Sequence, residues 1–106
     1  MQIRFVYMTT ANPEEAQAIG RELVTARLAA CVNIIPQMSS IYLWDGKLQQ
    51  DAETVLIAKT TAERVPELIA RVKSLHGYTC PCIVSLAIAE GYPPFLAWVA
   101  DSVAPV

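Results

Sequence analysis

Residues 39–59 read Ser39-Ser-Ile-Tyr-Leu-Trp-Asp-Gly-Lys-Leu-Gln-Gln-Asp-Ala-Glu-Thr-Val-Leu-Ile-Ala-Lys59. Asp45-Gly46 at its centre is the strongest hairpin signal in the chain, because a type I′ turn needs positive φ at both central residues. β-forming residues flank it. The pattern predicts a strand over Ser39–Trp44 and a return strand over Lys47–Lys59, with Val55–Ala58 as its buried end. Upstream, Cys31–Ile35 is also extended in character. Pro36 then interrupts any central pairing, so a bulge or an edge is expected there. The two arms reach roughly a dozen residues against a usual five or six. Part of such a hairpin must project beyond a small core or pack on something else.

Before the hairpin, Ile3–Met8 reads as a first strand. Asn12 is a good N-cap, Pro13 suits the first helical position, and Glu15 completes a capping-box spacing. A helix is expected from Pro13 to about Arg27, with Ala16, Ile19, Leu23 and Ala26 or Arg27 on one face. After the hairpin, Thr60 or Thr61 caps a second helix to about Leu75, with Val65, Leu68, Ile69, Val72 and His76 on one face. Pro66 makes its first turn irregular. His76–Pro81 is a loop, Cys82–Ala89 a last strand, Gly91-Tyr-Pro-Pro94 a break, and Phe95 to about Ser102 a short helix. The order is βαββαβ with an added C-terminal helix. That is an α+β, ferredoxin-like arrangement, an antiparallel sheet with two helices on one face. One domain over residues 1–106 is expected. The other sheet face is left bare, and an apolar bare face calls for a partner.

Composition points the same way. Of 106 residues, 54% are hydrophobic and 17% charged, where a typical soluble domain has nearer a quarter charged. Disorder is excluded. No apolar run approaches the 18 or so residues of a membrane helix. The N-terminus lacks a secretory pattern, so a cytoplasmic protein without a membrane partner is expected. A net charge of −2 and the lack of a basic patch argue against nucleic acid. Three cysteines are a poor disulfide framework, so reduced thiols are expected. The excess apolar content is assigned to self-association.

Few residues offer chemistry. No phosphate loop, nucleophile elbow or HExxH motif is present, and His76 is the only histidine. Glu14-Glu15 reads as helix-dipole compensation. His76, Cys80 and Cys82 form the one local cluster of soft ligands. In an extended Cys-Pro-Cys the two thiols point the same way, and with the imidazole they could converge on Cu(I) or Zn(II). The same residues also read as scaffold: Cys82 a small buried hydrophobe, Cys80 a loop residue, His76 a helix terminus. Cys31 reads as an inert thiol, Tyr42 and Trp44 as packing or interface aromatics. Glu53 and Lys59, interrupting an apolar strand, read as paired or interfacial charges. No nucleophile–base pair can be assembled, so no enzyme is expected.

Three stretches together resemble the CutA family of divalent-cation tolerance proteins: Leu28-Ala-Ala-Cys31-Val-Asn-Ile-Ile-Pro36; Ser40-Ile-Tyr42-Leu-Trp44-Asp-Gly46-Lys47 with Glu53 and Leu56-Ile-Ala-Lys59-Thr60; and His76-Gly-Tyr78 with Pro81. The resemblance implies a cytosolic homotrimer of ferredoxin-like subunits whose long hairpins reach onto neighbours. It implies a role in tolerance of copper and other divalent cations, with no enzymatic activity. An architecture similar to the PII signalling proteins implies a small ligand in the inter-subunit clefts. Carried over to that cleft are Cys31, Tyr42, Trp44, Glu53, Lys59 and Tyr78.

The sequence departs from the family pattern where a metal would bind. Some members have a cysteine where Met8 stands, paired histidines where Leu75-His76 stands, and Pro-Glu where Pro81-Cys82 stands. The metal set expected here is therefore His76, Cys80, Cys82 and Met8, with copper or another divalent cation as the ion. Two other readings stand beside metal response: a PII-like sensor of a small ligand, and a scaffold that presents a partner-binding surface.

Overall fold

A computed structural model describes residues 2–105. Strand β1 (Ile3–Thr10) leads to helix α1 (Pro13–Thr25); β2 (Cys31–Trp44) and β3 (Lys47–Thr61) form the hairpin. A 3-10 turn (Ala62–Arg64) enters α2 (Val65–Leu75), followed by β4 (Ile83–Ala87) and α3 (Pro93–Ser102). The strands form one antiparallel sheet in the order β2-β3-β1-β4. This is the expected α+β, ferredoxin-like arrangement. The hairpin stretches the molecule to 45 × 26 × 21 Å.

Local signals account for the element ends. The side chain of Asn12 accepts from the Glu15 backbone N–H at 2.8 Å, and the Glu15 carboxylate reaches back to the Ala11 N–H at 2.9 Å. Asp45 and Gly46 take φ of 50° and 75°, as a type I′ turn demands. Helix α1 stops two residues short of Arg27. Arg27 itself adopts φ 61°, its N–H bonds to the Val24 carbonyl, and the Leu28 N–H bonds to the Leu23 carbonyl. That is a Schellman stop without the usual glycine. Val65 and Pro66 follow the 3-10 turn at the start of α2, so the first turn is irregular, as expected of the proline. The last strand is shorter than its apolar sequence, Ile83–Ala87 rather than Cys82–Ala89, because pairing with β1 runs only from Met8–Ile83 to Arg4–Ala87.

Alternation along the strands decides which side is covered. Val6 and Met8 on β1 face the helices together with Leu56 and Ala58 on β3, and all four are fully buried. Ala16, Ile19 and Leu23 of α1 and Leu68 and Val72 of α2 close over them. Each such Val, Leu or Ile contributes roughly 1.5–3 kcal/mol of burial. Ile69, expected on that face, is partly exposed instead. The intervening residues, Phe5, Tyr7, Val55, Ile57, Ile35, Val84 and Leu86, face the other side. Helix α3 buries Val99 and Val103 with Ile3 and Ala30 at one end, but Ile35, Val84 and Leu86 remain 49%, 48% and 52% exposed.

Strand β2 is continuous through Pro36, and the expected bulge is there. Ile35 pairs with Val55 and Met38 with Glu53, so β2 holds one more residue than β3 across this step. The proline has no N–H to miss, and its carbonyl accepts from Thr54 Oγ1 at 3.0 Å. The extra residue reverses the alternation of β2. Cys31, Asn33 and Ile35 face the bare side before it, and Met38, Ser40, Tyr42 and Trp44 face that side after it.

Candidate ligand cleft

That reversal places Tyr42 and Trp44 on the same side as Glu53 and Gln49 of β3 and Thr9 of β1. The loop after α2 comes down beside them. Together they enclose a cleft of about 620 Å³, to which Gly77, Tyr78, Thr79, Cys80 and Cys82 also contribute.

The loop is held by specific bonds. His76 caps α2 and is buried. Its Nε2 lies 2.8 Å from the Thr9 carbonyl, and its Nδ1 accepts the Tyr78 N–H at 3.1 Å. One nitrogen must donate and the other must accept, which defines the neutral Nε2–H tautomer. From α1, a Glu15 carboxylate oxygen accepts the Gly77 N–H at 2.9 Å. The Tyr78 ring tilts against the imidazole with centroids 4.7 Å apart, and its hydroxyl donates to Glu53 at 2.9 Å.

The cleft is electrostatically acidic. Burial, then the hydrogen bond to Glu53 and its negative charge, push the Tyr78 phenol well above its ordinary value. Tyr42 donates to Asp51, and this bond, more than burial, raises its phenol too. Burial and the charge of Glu53 raise the Cys82 thiol. Both phenols are therefore neutral donors at physiological pH, and their donor hydrogens are committed to carboxylates. An aromatic wall, the Glu53 carboxylate and two thiols can bind and orient a small ligand or a cation.

The CutA1 divalent ion tolerance protein family matches residues 4–102. The chain belongs to that family. A divalent-cation tolerance protein CutA from Thermus thermophilus is 47% identical over 97 residues, 92% of this chain and 94% of that protein. A CutA homolog from Xenopus laevis is also 47% identical over 97 residues, but this chain spans only 64% of its length. A solved CutA1 structure from Thermus thermophilus superposes with a TM-score of 0.94 at 45% identity, covering 96% of this chain and 99% of the other.

Of the positions the CutA resemblance singled out, Tyr42, Trp44, Glu53 and Tyr78 share the cleft. Cys31 and Lys59 do not. They pair with each other across β2 and β3, roughly 20 Å along the strand from Glu53, and Lys59 bonds to Asn33. The metal set is dispersed. Met8 has no exposed surface and packs in the core under the helices. Both His76 ring nitrogens already have partners. Cys80 and Cys82 are exposed free thiols at the rim, so Cys82 is not the buried strand residue of the scaffold reading. Among the described residues no three His, Cys, Asp or Glu side chains gather as a metal site. Thr9, Gln49, Gly77 and Thr79 also line the cleft. They carry no chemical signature in the sequence. The period-two alternation counted back from Glu53 is the one signal that finds Gln49.

Proposed function

We propose that the protein serves divalent-cation tolerance as a non-enzymatic homotrimer of the cytoplasm, with the cleft as its site for a metal ion, copper foremost. The bare apolar side of the sheet carries the trimer. Ile35, Val84 and Leu86 are half exposed on one side of an otherwise well-packed sheet, and a patch of this kind calls for a partner. The tolerance role rests on family membership and on the name of the Thermus relative. The acidic cleft with two rim thiols supports cation binding. The engagement of both His76 nitrogens supports a non-enzymatic reading, since the one histidine is not free to act as a base.

Sedimentation at micromolar concentration is expected to give a mass near three times 11.6 kDa; a mass of one chain sinks the trimer. Cells lacking the protein are expected to grow less well in elevated copper, and equal growth sinks the tolerance role. A sensor of a small organic ligand is the second reading. Its support is the Tyr42–Trp44 wall and the cleft volume of about 620 Å³, which lies in the usual range for ligand pockets. A thermal-shift screen of metabolite-sized anions and nucleotides that moves nothing removes this reading.

A further inference from the structure

The two thiols at the rim differ from the rest of the expected metal set. They flank Pro81, whose φ is fixed near −65°, in the bend that leads into β4. Both side chains reach the same cleft, both are exposed, and neither is in a disulfide. The other soft donors nearby are engaged or buried: Met8 by complete burial, His76 by the Thr9 carbonyl and the Tyr78 N–H, and Met38 by the Tyr7 hydroxyl at 3.5 Å.

A donor set reduced to two sulfurs selects its ion. Zn(II) takes four ligands in a tetrahedron, and Cu(II) takes a tetragonal set of nitrogens and oxygens. Cu(I) is a soft, filled-shell ion that prefers thiolates and is satisfied by two of them in a near-linear arrangement. We propose that Cys80 and Cys82 form a two-thiolate site for Cu(I) at the mouth of the cleft. This rests on the reading that the cleft takes a metal ion, and it names the ion and the donors.

The neighbourhood favours a cation. The Glu53 carboxylate acts on Cys82 and puts negative charge beside it. Binding forms two S–Cu bonds and breaks two S–H bonds. Both protons go to solvent, and copper stays Cu(I) throughout.

The test is an anaerobic titration of the reduced full chain with Cu(I) against bicinchoninate, a competing Cu(I) chelator. One Cu(I) per chain is expected, with a near-ultraviolet thiolate-to-copper absorption and release of about two protons. Cys80→Ser and Cys82→Ser should each weaken binding by more than the roughly 100-fold that loss of an outer-shell partner can cost. Cys31→Ser should leave it unchanged, and equimolar Zn(II) should not displace the copper. Both thiols are exposed, so the serine variants are expected to keep the wild-type circular dichroism. Wild-type affinity in the double variant Cys80→Ser/Cys82→Ser overturns the site, and displacement by Zn(II) overturns the two-coordinate assignment. If the double variant loses Cu(I) yet sustains growth in copper, the site stands and the wider metal-tolerance reading falls.

Discussion

Tyr7 and Met8 are neighbours on β1, and the chain treats them oppositely. Met8 lies under α1 and α2 with no surface exposed. Tyr7 faces the side that helix α3 covers only at one end, and its hydroxyl reaches Met38 Sδ at 3.5 Å. The same contrast runs across the sheet: Leu56 against Ile57, Ile83 against Val84. The residue types on the two sides are nearly alike, so hydrophobicity alone does not tell a core from an interface. What differs is the cover. The helices seal one side with complementary side chains, and the other side keeps its apolar surface and acquires the cleft.

Leu56→Ala is the largest expected break in that contrast. It empties a fully buried position and should cost about 2–5 kcal/mol, read as a lowered urea midpoint. Gly20→Ala comes next. An added Cβ would lie 2.9 Å from Val32 Cγ2, where α1 approaches β2 closely. Overpacking of this kind costs about 1–3 kcal/mol, against the roughly 1 kcal/mol that alanine gains in a helix, so a net loss of stability is expected by thermal unfolding. A stabilised variant would show that the seal is looser than the packing indicates.

Tyr78→Phe probes the bare side. Losing the bond to Glu53 should cost about 1 kcal/mol at neutral pH. The folded phenol titrates above the ordinary value of 10.0, so the folded state holds its proton more tightly than the unfolded one. This contribution is complete below about pH 10 and disappears as pH rises through the folded value. The wild-type protein should therefore lose stability above about pH 10 more steeply than Tyr78→Phe, in unfolding curves taken between about pH 8 and pH 11. Equal slopes would remove the Glu53 bond from the account. Leu48→Ala, at an arm position 72% exposed, should change subunit unfolding by less than about 0.5 kcal/mol. Its effect is expected in the concentration dependence of sedimentation, if hairpins reach onto neighbouring subunits.

The sealed side was largely legible in the sequence. Asn12, Pro13 and Glu15 mark the helix start, Asp45-Gly46 the turn and Pro36 the bulge, because each acts through its own backbone or near neighbours. The steps among Ala16, Ile19 and Leu23 find the core face of α1. The ends of β4 were not legible, since an edge strand stops where its partner stops pairing. The cleft was legible only in part. Tyr42 and Trp44 show their alternation, but the bonds that hold the loop join His76 to Thr9 and Tyr78 to Glu53, across separations no local pattern encodes. Met8 illustrates the cost of arguing from position in a family. Its place in the β1 alternation puts it among the buried residues, where a thioether cannot reach a solvated ion.

The extra residue beside Pro36 works as a phase shift. Everything beyond it, out to the turn, is read one step out of register with the strand that leads in. Deleting Gln37 would remove the bulge and leave Tyr42 and Trp44 opposite Gln49 and Lys47, still facing the cleft, whereas flattening the bulge with Gln37 retained would bring Ile41 and Leu43 in. Lengthening the arm by one matched pair at the turn would instead leave every wall of the cleft in place. The hairpin can therefore vary freely in reach while its loading of the cleft is fixed by the pairing of β2 with β3 across the bulge.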